Sequence, residues 1–169
     1  MSLAVELRDL SFQFATSSRP TLDKVNLSVK RAARVVLVGA NGAGKSTLLN
    51  LMGGKRMPSA GSACELGHDA FEHTALASRI NNVTTDWEDE LTLAVIKLVL
   101  SHAAGCERAR VSRLIDALGM TELLGSELSQ LSDGQRRRVQ LFCKLCPTRE
   151  VILLDEVTLR LEPLPQPQP

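Results

Sequence analysis

The chain has 169 residues, 44% of them hydrophobic and 23% charged, and its 20 basic and 19 acidic side chains leave a formal charge of +1. That length suits one domain burying about two-thirds of its unfolded surface, and the composition is that of a soluble globular protein. The near-zero balance excludes a bulk field for nucleic acid or an anionic membrane, so nucleic-acid binding is not indicated.

The longest apolar run, Leu91–Leu100, is interrupted by Lys97. A membrane-spanning helix needs about 20 apolar residues, so no span is expected. The opening Met-Ser-Leu-Ala-Val-Glu carries an early acid and no basic segment, unlike a secretory signal. The expected compartment is the cytoplasm, with the nucleus left open, and disulfides are not expected there. Cys143 and Cys146 form C-x-x-C, while Cys64 and Cys106 form no second pair. Val139, Phe142, Cys143 and Cys146 have helical core spacing, which favours buried thiols over redox or zinc chemistry.

In chain order, Leu10, Phe12 and Phe14 alternate with polar residues and predict a half-buried strand. Ala15–Pro20 predicts a turn. Val25, Leu27 and Val29 predict a second strand, antiparallel to the first. Arg34-Val-Val-Leu-Val38 is a continuous β-branched run, the pattern of a strand buried on both faces. A helix is predicted over Ser46–Met52, stopped by Gly53-Gly54, with a turn at 58–61. The stretch 65–91 carries no clear period. Val111, Leu114, Ile115 and Leu118 predict a helix closed by Gly119. Another helix runs from Ser132 to Pro147, and Val151–Leu154 predicts a second buried strand. The ending Pro163-Leu-Pro-Gln-Pro-Gln-Pro169 predicts an extended, disordered tail over 159–169.

Gly39-Ala40-Asn41-Gly42-Ala43-Gly44-Lys45-Ser46, followed by Thr47, matches the Walker A pattern in full. Glycines let backbone N–H groups converge on phosphate at a helix N-terminus. Lys45 reaches the β- and γ-phosphates in such loops, and Ser46 ligates magnesium, a cation that prefers oxygen ligands. Val151-Ile-Leu-Leu-Asp155-Glu156 reads as Walker B: an apolar strand with two acids at its carboxyl end, the edge where open α/β sheets bind ligands. Asp155 suits a magnesium ligand and Glu156 a general base. Ser132-x-x-Gln135 is a helix capping box. Beside it Gly134 permits close backbone approach, and the helix dipole favours a phosphate there.

Leu131-Ser-Asp-Gly-Gln-Arg-Arg-Arg-Val139 resembles the signature motif of ATP-binding-cassette (ABC) ATPases, and the three motifs stand in that family's order. The resemblance covers about residues 3 to 158. With "LLDEVT" it is similar to the soluble, non-intrinsic ABC proteins of the yeast deadenylase-complex-associated type. It implies an α/β P-loop fold: a mixed sheet with an antiparallel β subdomain and a helical subdomain over about residues 88–146, within a nucleotide-binding domain spanning 1–158. It also implies ATP and magnesium as cofactors. An ATP-dependent dimer, with itself or another ABC domain, would place each nucleotide between one chain's Walker A loop and the other's signature, contacted by Ser132, Gly134 and Gln135. Phe14 matches the family's adenine-stacking aromatic, and a plain core strand residue is an equal reading. Arg136-Arg137-Arg138 reads first as a solvated helix face, with a partner contact as the alternative.

Three departures bear on that resemblance. The region Asn82-Val-Thr-Thr-Asp-Trp-Glu88 lacks the family's glutamine, although Trp87 resembles a tryptophan of the soluble subgroup. Val157–Glu162 is only loosely similar to the family's aspartate loop. The family's later strand and histidine have no counterpart, so the chain reads as C-terminally truncated, with a gap expected between the Walker A and Walker B strands. The expected function is ATP hydrolysis by a soluble ABC-type ATPase, with a protein of a regulatory complex as a partner. The alternatives are a catalytically impaired nucleotide-binding module, or the ATP-binding subunit of a membrane transporter.

Overall fold

The computed structural model describes residues 2–84 and 94–156. Trp87 and most of the glutamine-lacking region, the loosely similar loop and the proline-rich ending lie outside the described residues. The chain forms two compact units: residues 1–82 with 149–155, and residues 83–148 with 156–169.

The first unit is built on an antiparallel sheet. Strand β1 spans Leu3–Phe12 and β2 spans Leu22–Lys30. They pair antiparallel, with Leu7 opposite Leu27 and Phe12 opposite Leu22. Strand β3, Ala60–Glu65, lies on the other side of β1, and the two-residue β4, His68–Asp69, completes the order β2-β1-β3-β4. The ribbon predicted for the first thirty residues is present, but β1 begins seven residues earlier than the alternation suggested. It also stops before Phe14, where the Ala15–Pro20 turn region begins.

Helix α1 spans Lys45–Met52 and buries Leu48, Leu51 and Met52, an i, i+3, i+4 stripe. These pack with Leu7, Leu10, Phe12 and Leu22 into one apolar core. Strands β5, Ile80–Val83, and β6, Val151–Leu154, form a separate two-stranded sheet. The Glu150 carboxylate receives Arg31 Nη1 at 2.7 Å and Arg79 Nε at 2.5 Å, and the Glu150 N–H donates to Arg79 O at 2.9 Å. The two guanidinium donors pull the Glu150 carboxyl down to about 2.

Gly61, expected in a turn, instead sits inside β3 with φ +77. A Cβ there would collide with the carbonyl oxygens of Arg8 and Asp9 on the neighbouring strand. Gly61→Ala is therefore expected to cost about 2 kcal/mol or more, from the unfavourable φ and the forced strand separation together. A urea titration of the two proteins measures it.

Two expectations are corrected. Arg34–Val38 forms no strand, and β6 is not buried on both faces. Val35, Val36, Leu37 and Val38 are 61%, 85%, 43% and 86% exposed, and the last backbone bond before the phosphate loop is Ala33 N–H to Lys30 O. A β-branched run becomes a strand only where another strand accepts its bonds. Among the described residues none pairs with it. In β6, Val151 and Leu153 are buried while Ile152 and Leu154 face outward. This alternation marks a sheet covered on one face.

The second unit is helical. Helix α2 spans Val95–Ala103, α3 spans Arg108–Ala117 and α4 spans Asp133–Leu145, with short 3-10 turns at Thr121–Leu123 and Leu128–Gln130. The core joins Val95, Val99, Met120, Leu128, Val139 and Phe142 with the thiols Cys143 and Cys146. Both cysteines are buried, as the spacing implied, and burial pushes their thiols up to about 12 and about 11. Arg110 closes the end of α4, donating from Nε to Cys146 O at 2.9 Å and from Nη2 to Leu145 O at 2.7 Å. Positive charge at a helix C-terminus meets the negative end of its dipole.

The basic cluster on α4 is not a solvated face. Arg137 and Arg138 are 6% and 8% exposed. Arg137 Nη1 donates to Thr84 O at 3.0 Å and to Gln140 Oε1 at 3.1 Å, and Arg138 Nη1 reaches Gly119 O at 3.5 Å. The guanidinium forks meet backbone and amide oxygens inside the unit, which a run of three identical letters does not reveal.

Candidate functional site

The phosphate loop lies in the first unit, ahead of α1. Gly44 caps that helix with φ +90, a conformation that costs glycine nothing. A Cβ there would come within 3.0 Å of the Leu22 side chain and 3.2 Å of Thr21 O, so the loop lies tight against the start of β2. The first-turn N–H groups of α1, at Lys45, Ser46 and Thr47, have no acceptor inside the helix. They are free to bind an anion, reinforced by the helix dipole.

Lys45 folds back over the loop. Its Nζ donates to the carbonyl oxygens of Gly39 and Ala40, both at 2.8 Å, which places the ammonium inside the curl of Gly39–Gly44. Ala43 N–H donates to Ala40 O at 3.2 Å and tightens the curl around Asn41 and Gly42. Ser46 Oγ donates to Asp155 Oδ1 at 3.0 Å. Two motifs separated by 109 residues in sequence thus present a hydroxyl and a carboxylate at one point. Both are hard oxygen donors of the kind magnesium takes. Glu156 follows directly, with φ +50, an uncommon backbone state for glutamate that tends to mark functional positions.

Phe14 lies just past β1 and is 36% exposed. Its ring meets Phe12 edge-on, with centroids 4.9 Å apart at 88°. Thr21 N–H donates to Phe12 O at 2.8 Å. Thr21 also lies against Gly44, so the end of β1 at Phe12 and the phosphate loop share a neighbour. One residue had no signal in the sequence. The Arg56 guanidinium carbon stands 5.3 Å from the Phe14 ring centre and 5.9 Å from that of Phe12.

The signature residues belong to the second unit. Ser132 Oγ accepts the Gln135 N–H at 3.3 Å, and Gln135 Oε1 accepts the Ser132 N–H at 2.9 Å. The capping box expected from the sequence is formed in both directions. Ser132 is exposed and Gly134 is buried at the start of α4.

The sequence model of the family described as "ABC transporter" matches residues 22–159. The chain is 32% identical over 179 residues to "CCR4-associated factor 16" of Saccharomyces cerevisiae, covering 94% of this chain and 61% of that protein. It is 32% identical to "ABC transporter I family member 20" of Arabidopsis thaliana, covering 87% of this chain and 48% of that protein. It is 35% identical to "Nickel import ATP-binding protein NikO" of Rhodobacter capsulatus, covering 96% of this chain and 69% of that protein. The chain thus spans about half to two-thirds of these relatives. A solved ATP-binding protein of a putative ABC transporter from Pyrococcus furiosus superposes with a TM-score of 0.78 at 23% identity, covering 94% of this chain and 78% of that one. A bacterial Atm1-family ABC exporter with ATP bound gives 0.78 at 22%, covering 96% and 30%. At that identity the likeness speaks for the fold, a P-loop α/β domain. With the family match across most of its length, the chain belongs to the ABC transporter family.

Proposed function

We propose that the chain binds magnesium-ATP and hydrolyses it, in a site completed by the signature segment Leu131–Gln135 of a second subunit. One observation carries the reading: the 3.0 Å bond between Ser46 and Asp155. It brings the ends of two motifs together at the mouth of the phosphate loop. In this reading the N–H groups of Gly39–Thr47 hold the phosphates, and Lys45 turns from its own carbonyls to the β/γ oxygens. Ser46 and Asp155 hold magnesium, which when bound neutralises charge on the phosphate oxygens. Glu156 accepts the proton of the attacking water, and positioning supplies the rest of the catalysis. Ser132, Gly134 and Gln135 face the partner chain's γ-phosphate, and Phe14 supports the adenine. The nucleotide-binding domain spans 1–158.

Purified chain should release phosphate from ATP above background. Glu156→Gln should lower that rate by a factor of about 100 or more, the lower bound of the range for a lost general base, while leaving binding intact and accumulating ATP-bound dimer in size-exclusion chromatography. Binding without turnover, unchanged by Glu156→Gln, would instead support a nucleotide-holding module. The exposure of Val35–Val38 favours that second reading, because the phosphate loop then hangs from a segment that pairs with no strand among the described residues. The names of relatives such as the nickel import protein keep a transporter-coupled role in view. No helix among the described residues is long and apolar enough to cross a membrane. A cytoplasmic or nuclear setting and a regulatory-complex partner belong to the same proposal.

A further inference from the structure

Cys106 lies half-buried between α2 and α3, packed against the helical core. Its Sγ donates to His102 O and to Cys146 O, both at 3.4 Å, and it stands within hydrogen-bonding reach of the Cys146 thiol. Two sulfurs separated by 40 residues in sequence thus meet at the end of α4. Cys146 is fully buried, so Cys106 is the member of the pair that solvent reaches. Burial and the neighbouring thiol push Cys146 up to about 11, while Arg110, whose Nε holds Cys146 O at 2.9 Å, draws it down. The pair closer in sequence is the worse one. Cys143 and Cys146 are i, i+3 neighbours on helical backbone, where Cβ atoms lie about 5–6 Å apart. A disulfide needs about 3.5–4.5 Å.

We propose that Cys106 and Cys146 form a reversible oxidation site for hydrogen peroxide, Cys106 taking the oxidant and Cys146 closing the disulfide. The Cys106 thiolate attacks one peroxide oxygen, the O–O bond breaks, and the released hydroxide leaves as water with the thiol's proton. Cys106 is then a sulfenic acid. The Cys146 sulfur attacks that sulfur. The S–S bond forms as the S–O bond breaks, and the departing hydroxide takes the Cys146 proton as a second water. The two thiols lose two electrons and the peroxide gains them. A buried thiol of raised pKa is a slow nucleophile in general, and placement against Cys106 offsets this by making the second step intramolecular. A sulfenic acid with no thiol beside it is open to irreversible oxidation to sulfinic acid; Cys146 intercepts it. The bridge ties the end of α4 to the start of α3, and the opposite end of α4 carries Ser132 and Gln135. Disulfides in reducing compartments are mostly transient and redox-sensing, which suits a pair that a thiol reductant reopens.

Peptide mapping tests this. The folded full chain is exposed to hydrogen peroxide, blocked with N-ethylmaleimide in denaturant and cut with trypsin. Cleavage after Lys97, Arg108, Arg138, Lys144 and Arg149 puts Cys106, Cys143 and Cys146 on separate peptides. The expected product is peptide 98–108 joined to 145–149, lighter than the free pair by two hydrogen atoms and separated by dithiothreitol. Chain unfolded in urea before the peroxide should yield about tenfold less of it, because the juxtaposition is gone. Cys143→Ser should leave the bridge in place. In Cys146→Ser, dimedone should label Cys106 as the sulfenic acid, and in Cys106→Ser it should leave Cys146 unlabelled. Where the buried substitution disturbs folding, the map of the unsubstituted chain still decides. All four cysteines blocked by maleimide after peroxide would overturn the inference. A link between 139–144 and 145–149 overturns it as well, as does an equal yield from unfolded chain or a dimedone label on Cys146.

Discussion

Replacing Glu65 with leucine should stabilise the first unit at pH 8 by about 3 kcal/mol, the order of the penalty for a buried carboxylate with no partner. Glu65 closes β3 opposite Val5 and is fully buried. Neither of its oxygens finds a hydrogen bond among the described residues, and burial alone pushes its carboxyl from 4.5 up to about 8. The sign of the pH dependence follows. Below pH 4.5 the group is protonated in both folded and unfolded chains, and its neutral form costs least. As pH rises toward 8 the unfolded chain gains by ionising while the folded chain holds its proton, so stability falls. Above about 8 both forms are ionised and the loss levels off, its upper bound about 5 kcal/mol. Glu150 works in the opposite sense, and its pairing is lost only as pH falls from 4.5 toward about 2, outside this window. Urea midpoints at pH 5, 6.5 and 8 should therefore decline for the natural chain and stay level for Glu65→Gln. Equal slopes in the two proteins would show that Glu65 is not the titrating group.

The second large effect concerns the exposed run before the phosphate loop. Changing Val36 and Val38 together to lysine should leave folding stability within about 0.5 kcal/mol, the usual range for surface positions. Had that run been the doubly buried strand its sequence implies, two buried unpaired charges would cost more than about 3 kcal/mol. The same change should raise solubility. Contiguous exposed apolar residues with unpaired backbone are a template for association between chains. Static light scattering across a concentration series should show the natural chain self-associating and the double lysine variant doing so much less. A collapse of the thermal transition in the variant would mean instead that the run is packed.

That run marks the limit of what sequence reveals about this molecule. The phosphate loop, the capping box of Ser132 and Gln135 and the helical spacing of Cys143 and Cys146 are local patterns, and local chemistry decides them. The loop's glycines serve backbone conformations that neighbours in sequence require, and a capping box spans only four residues. Whether Arg34–Val38 becomes a strand depends on another segment lying beside it, and periodicity carries no information about that. The same holds for Arg137 and Arg138. Their burial depends on carbonyl groups at Thr84 and Gly119, far along the chain. Glu65 is the sharpest case: in β3 it shares the buried face with Ala63, while the residue type predicts an exposed position. Arg56 adds a fourth kind, since a cation over a ring depends on two loops meeting.

The bond between Ser46 and Asp155 also sets a timetable. The phosphate loop leaves the ribosome 109 residues before the carboxylate that meets it. At synthesis rates of about 5–20 residues per second, the interval is about 5 to 20 s. A ligand stabilises only the folded state that binds it, so a nucleotide needing both motifs gives no help to the nascent chain during that time. Meanwhile the apolar run at 35–38 is already outside the tunnel. If the proposed site binds nucleotide, its stabilisation therefore comes only once residue 155 has emerged, and earlier protection of that run has to come from elsewhere in the cell.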